Sequence, residues 1–242
     1  MKKIISSRIF YNSLYKKLGV DAQRKYPNEE LMRFMGRNFF NIKKEKRKKI
    51  KILETGCGSG GNLGMLIKEG FNTYGIDNSE TGIKICEKNL KSQKLKAKLI
   101  VDNMESMSFL NKKFNAVIDI FSSCCLDQKS GLKYLSETSR VLKKNGLFFT
   151  YFPSKKSDTW KKQLNQKNFK KQLIDNYTLK GIFRKSAPYY GNNYSLRFLS
   201  VKDYLKILKK FNFKIQYSEI TSRTYRFGKE YFEFIVIEAK KI

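Results

Sequence analysis

Between residues 50 and 152, short β-rich apolar runs alternate with runs whose apolar residues recur at helical spacing. "KIKILETGCG", "FNTYGIDNS", "AKLIVDNM", "FNAVIDIFSS" and "GLFFTYF" each stop at glycine, proline or small polar residues, and each reads as a strand. "GNLGMLIKEG", "SETGIKICEKNLKSQ" and "SGLKYLSETSRVLKKNG" read as the intervening helices. The first closes on Gly70, the second opens on Ser79 as its N-cap, and the third ends at Gly146. The fourth strand is apolar enough to be covered on both faces. Strand and helix alternating at this spacing predict a doubly wound, mostly parallel α/β sheet.

The flanks extend that pattern within a single domain. Residues 1–49 form an N-terminal helical cap and a basic linker; "NEELMRFMGRNFF" follows Pro27 and carries its acids in the first turn. Residues 50–152 are the core, and 153–199 are an irregular segment rich in basic and aromatic residues. Residues 200–242 hold a closing helix, opened by a Ser200–Asp203 capping box, and two last strands, "FKIQYSEI" and "EYFEFIVIEA". The sheet is thus expected to have seven strands, with a helical extension at its N-terminal side.

Composition narrows the setting. Of 242 residues 40% are hydrophobic, enough for a substantial core, and no apolar run approaches the length of a membrane span. Ser6, Ser7 and Arg8 interrupt the apolar start, so no secretory leader is read and a cytoplasmic protein is expected, with no membrane partner. The four cysteines, at 57, 86, 124 and 125, form no CxxC pair, and the chain has no histidine, so free thiols and no metal site are expected. The vicinal Cys124–Cys125 pair reads as packing. Net charge is +30, with lysine supplying 41 of the 51 basic residues and arginine only 10, a bias that suggests compositional drift as much as a binding face. Residues 43–51, "KKEKRKKIK", hold seven basic residues in nine and read as a solvated linker; contact with a polyanion is the second reading. No pattern fixes an oligomeric state.

The chemistry gathers at "ETGCGSGGNLGML", residues 54–66. A glycine turn after the first strand lets backbone approach a ligand outside the strand ends, where the next helix offers free N–H groups. Asp77, 21 residues after Gly56, ends the second strand and can accept both hydroxyls of a ribose. A nucleoside-containing cofactor follows. Gly56, Gly58 and Gly61 fit the dinucleotide spacing G-x-G-x-x-G, while Glu54 with Gly56, Gly58 and Gly60 fits E-x-G-x-G-x-G. Tyr151 and Lys155 have the Y-x-x-x-K spacing of short-chain dehydrogenases, but Pro153 keeps them off one helix face.

With "VDNMESM" after strand three, "RVLKKNGLFFT" before strand five, and the closing helix and two strands, the chain resembles the class I S-adenosylmethionine-dependent methyltransferases over about 50–152 and 198–240. The resemblance implies S-adenosylmethionine as cofactor and in-line methyl transfer. It implies that Glu54 anchors the methionyl amino group and that Gly56, Gly58 and Gly60 wrap methionine and ribose. Asp77 would bind the ribose with Asn78 beside it; Asp102, Asn103 and Met104 would meet the adenine; and Phe121 would line the methyl end. For the acceptor side, the N-terminal region offers Tyr15, Gln23, Arg24 and Tyr26, and the irregular segment offers Tyr189, Tyr190, Asn192, Asn193 and Arg197. "IFSSCC" stands where amino-group methylases of the family carry D/N-P-P-Y/F, and no Pro-Cys pair of the cytosine enzymes is present. A small-molecule acceptor, a sugar or other metabolite, is therefore expected. The alternatives are an RNA methyltransferase using the basic linker and a non-catalytic nucleotide-binding module.

Overall fold

The computed structural model describes residues 4–165 and 169–242. Helix α1 (Ser7–Leu18), a 3-10 turn (Gly19–Ala22), α2 (Glu29–Asn38) and a single turn α3 (Lys44–Arg47) precede the core. Then follow β1 (Lys51–Thr55), α4 (Leu63–Lys68), β2 (Asn72–Asp77), α5 (Glu80–Ser92), β3 (Lys98–Val101), β4 (Phe114–Ile120), α6 (Gln128–Val141) and β5 (Leu142–Pro153). Beyond them lie α7 (Asp158–Leu164), three short strands β6 (Leu173–Asp175), β7 (Thr178–Leu179) and β8 (Leu196–Arg197), then α8 (Val201–Lys210), β9 (Phe213–Tyr225) and β10 (Glu230–Lys241).

The main sheet has seven strands in the order β3-β2-β1-β4-β5-β10-β9. The first five are mutually parallel, and β10 runs antiparallel to both β5 and β9. Strand order reverses between β1 and β4, which opens a crevice at their carboxyl ends. The core is aromatic: Phe34 of α2 stacks on Phe149 of β5 at 4.8 Å, seating that helix on the sheet, and both rings are fully buried. The expected caps form. Ser79 accepts from the Gly82 amide, and Ser200 from the Asp203 amide, each at 3.0 Å.

Three local expectations are revised. The helix expected to reach Gly146 ends at Val141, because Leu142 already pairs with Phe114 of β4. Asn145, at φ 63°, and Gly146 sit inside an irregularity of β5, so the glycine serves a bulge and not a helix cap. The segment 153–199 is not wholly irregular; it carries α7 and the β6-β7-β8 sheet, whose strands of two or three residues are too short to leave a period. The basic run is not uniformly solvated. Arg47 is buried, donates to the carbonyls of Ile42 at 2.8 Å and Phe40 at 2.7 Å, and pairs with Glu69 at the end of α4. Lys43, Lys44, Lys46, Lys48 and Lys49 stay exposed, and Lys51 is half-buried at the start of β1.

Candidate functional site

β1 delivers Glu54 to the crevice almost fully buried, at 2% exposure. Its Oε1 accepts from Asn62 Nδ2 at 2.5 Å, and Asn62 Oδ1 in turn accepts from the amide of Asn28, the N-cap of α2. Oε2 is buried with no partner. Burial pushes the Glu54 acid up to about 8, against the opposing pull of Asn62 and of Arg24. Asn62 was not foreseen, although a polar side chain at the head of α4 was the available signal.

Asp77 ends β2 beside the glycine turn. Its Oδ2 accepts from the Gly58 amide at 3.0 Å and its Oδ1 from the Ser79 amide at 2.8 Å. Burial raises this acid as well. The three motif glycines meet different neighbours. A Cβ at Gly56 would lie 2.4 Å from Ser122 Cβ, so this glycine lets the turn pack on the loop after β4 while opening to the cavity. A Cβ at Gly58 would strike Gln23 Oε1 and Tyr15 Oη, and one at Gly60 would strike Cys86 Sγ at 2.5 Å. Gly60 therefore serves α5 packing, and it lines a separate groove on the outer side of the turn.

A cavity of about 430 Å³, within the range of small-molecule sites, joins these groups. Glu54, Gly56, Asn62, Asp77, Met104 and Phe121 line it, with Tyr15, Gln23 and Arg24 from the N-terminal region and Tyr189 and Asn192 from the irregular segment. A narrow cleft continues from it past Asp77, Asn78, Asp102, Asn103 and Met104. There Asp102 shapes its own turn: Oδ1 accepts from the Asn103 amide at 2.8 Å and Oδ2 from the Ser108 amide at 2.9 Å. All ten residues expected at the cofactor, apart from Gly58 and Gly60, line one or other of these two spaces.

The acceptor-side expectations divide. Tyr26 is 80% exposed and lines the outer groove, away from the cavity. Tyr190 projects to solvent, and Arg197 is buried beneath the loop after β4, donating to the carbonyls of Ser123 and Asp127. Gly131 makes room for that guanidinium, since a Cβ there would lie 1.4 Å from Nη1. Asn193 takes the Ile5 amide on its carbonyl. The loop is held from its other side by Asp119, fully buried, whose oxygens accept from the Ser123 amide at 2.9 Å and from Thr150 Oγ1 at 3.1 Å. Phe10, Tyr11, Ser122 and Cys125 also line the cavity and were not foreseen. Tyr11 precedes Tyr15 by one helical turn, a spacing visible in the sequence. All four cysteines are free. Among the described residues no cluster of three or more His, Cys, Asp or Glu side chains could hold a metal, and no helix is long and apolar enough to cross a membrane.

Residues 52–146 match a family model described as a methyltransferase domain. Over 103 residues the chain is 30% identical to a ubiquinone biosynthesis O-methyltransferase of Pelagibacter ubique, covering 42% of this chain and 41% of that one. The chain thus spans about two fifths of the length of the curated relatives it matches. A solved S-adenosylmethionine-dependent methyltransferase of Methanosarcina mazei has a TM-score of 0.62 at 24% identity, covering 79% of this chain and 92% of its own. Another, from Clostridium acetobutylicum, gives 0.61 at 19% identity over 95% and 98% of the two chains. Residues 52–146 thus match a methyltransferase domain, and these solved structures share the fold of the chain.

Proposed function

We propose that this protein transfers a methyl group from S-adenosylmethionine to a small-molecule acceptor. The observation that carries the reading is the buried, unpartnered Oε2 of Glu54 facing a cavity that also contains Arg24. An orphaned carboxylate oxygen and a guanidinium with no ion pair among the described residues are complementary to the ammonium and carboxylate of a methionyl group. Arg24, expected on the acceptor side, is thereby assigned to the cofactor.

Asp77 keeps a carboxylate at the end of β2 for a pair of ribose hydroxyls, while two backbone amides hold its orientation. Asn78, Asn103 and Met104 line the narrow cleft suited to a flat base. When bound, the cofactor supplies a methyl carbon on a cationic sulfur, whose leaving group departs neutral without an acid. The protein's part is alignment: the loop braced by Asp119 and Arg197 fixes Phe121 and Ser122 at the cavity wall. Positioning the acceptor within about 3–3.5 Å of the methyl carbon can supply much of the rate.

The small-molecule reading is favoured over RNA by position. The basic run 43–51 leads into the amino end of β1, whereas the cavity lies at its carboxyl end under α1. Calorimetry is the test: S-adenosylhomocysteine should bind, and NAD and NADP should not. Binding of NAD with no response to S-adenosylhomocysteine would overturn the proposal.

A further inference from the structure

Beyond the methionyl and ribose groups, the remaining wall of the cavity has a distinct chemistry. Phe121 and Tyr189 stack on each other at 5.1 Å and 25°, and both adopt left-handed backbone, at φ 56° and 64°. That conformation is uncommon for bulky residues and persists where the surroundings enforce it, often at ligand clamps. Here Phe232 and Phe234 back the pair, with ring separations from Phe121 of 6.3 and 5.7 Å. The result is a rigid stacked aromatic pair at the cavity wall.

On the same cavity, α1 places Tyr11, whose hydroxyl is held from behind. Asn192 Nδ2 donates to Tyr194 Oη at 2.8 Å, and Tyr194 Oη lies 2.9 Å from Tyr11 Oη. Either hydroxyl can donate in this pair; donation from Tyr194, which is 1% exposed, to Tyr11 is the arrangement that leaves no buried hydroxyl proton unpaired. The hydroxyl proton of Tyr11, which lines the cavity, is then free to meet a ligand.

Among the described residues that line the cavity, no third carboxylate accompanies this donor. The carboxylates lining the cavity are Glu54 and Asp77, both committed to the cofactor in the reading above, and Asp119 lies behind the wall with its oxygens taken. Burial holds the phenols of Tyr11 and Tyr189 well above their ordinary value, so neither accepts a proton at neutral pH. A hydroxyl acceptor, a sugar included, loses a proton on methylation and is assisted by a base. A neutral ring nitrogen is not.

We infer, resting on the methyltransferase reading, that the acceptor is a flat nitrogen heterocycle, methylated on an unprotonated ring nitrogen, packed against the stacked Phe121–Tyr189 pair, and held through a second acceptor atom by Tyr11. The nitrogen lone pair forms the N–CH3 bond as the C–S bond breaks, and that bonding pair stays on sulfur. The positive charge moves from sulfur to nitrogen, where the aromatic faces stabilise it, and no proton is exchanged.

Three probes of one shape test this against the complex with S-adenosylhomocysteine: 3-acetylpyridine, acetophenone and cyclohexyl methyl ketone. Both flat ketones should bind at least tenfold more tightly than the saturated one. Tyr11→Phe should weaken them about tenfold while leaving S-adenosylhomocysteine affinity unchanged. With labelled S-adenosylmethionine, label should pass to 3-acetylpyridine and not to methyl glucoside or phenol. Equal binding of flat and saturated probes, an unaffected Tyr11→Phe variant, or label on methyl glucoside or phenol overturns the inference. Failure of S-adenosylhomocysteine to bind at all would instead strike the parent reading, before any probe is added.

Discussion

Replacing Glu54 by Gln should stabilise the cofactor-free protein at neutral and alkaline pH while weakening its hold on the cofactor. The carboxyl is fully buried, and burial moves it from an ordinary 4.5 to about 8 in the folded chain. The folded state therefore holds a proton that the unfolded state releases between those two values. Its favourable contribution is present in full below the unfolded value and is lost as pH rises through the folded one. At pH 7 the loss covers roughly 2.5 of the 3.5 units, or about 3 kcal/mol at 1.36 kcal/mol per unit. Gln keeps an oxygen for Asn62 Nδ2 and carries no charge, so it escapes this loss. Urea unfolding of both proteins at pH 5, 7 and 8.5 is the assay. The wild-type curve should fall relative to the variant by about 4 kcal/mol between pH 5 and 8.5, near the scale of total stability in many domains. Asp77 shifts in the same direction but is common to both proteins, so the difference isolates Glu54. Parallel stability profiles would refute the assigned burial and leave Glu54 an ordinary solvated acid.

Asp77→Ala should weaken S-adenosylhomocysteine binding by about 2–4 kcal/mol, since a charged acceptor for two hydroxyls is removed; unchanged affinity by calorimetry would misplace the ribose. Arg47→Ala should cost about 3 kcal/mol of stability, because Glu69 and the carbonyls of Phe40 and Ile42 lose a buried donor, whereas neutralising Lys46, Lys48 and Lys49 together should change stability little and leave turnover intact. A steep salt dependence of binding to a specific RNA that vanishes with those lysines would contradict the small-molecule reading. Four thiols should titrate in the denatured, unreduced protein; a count of two or none would contradict the free cysteines.

What the sequence disclosed follows from which forces act locally. Strand ends, N-caps and the glycine turn are written in short-range periodicity and side-chain chemistry, so Glu54, Gly56 and Asp77 could be placed together at the strand ends before any fold was seen. Contacts made across the chain leave no such mark. Gly60 looked like a ligand glycine, but what it admits is Cys86, 26 positions on. Arg47 looked like one cation in a solvated run, but carbonyls from Phe40 to Glu69 enclose it. Tyr26 was grouped with Tyr15 by proximity in sequence, yet the chain turns between them and leaves it outside. The Tyr11–Tyr194–Asn192 relay joins positions 183 apart, and no local pattern announces it.

The most direct measurement is calorimetric titration of S-adenosylhomocysteine at pH 7 in buffers of different ionisation enthalpy. An ammonium brought against Glu54 must drive its proton off, so the account predicts binding with release of close to one proton, and no such release in Glu54→Gln. Binding without proton release, or with the same release in the variant, would contradict it.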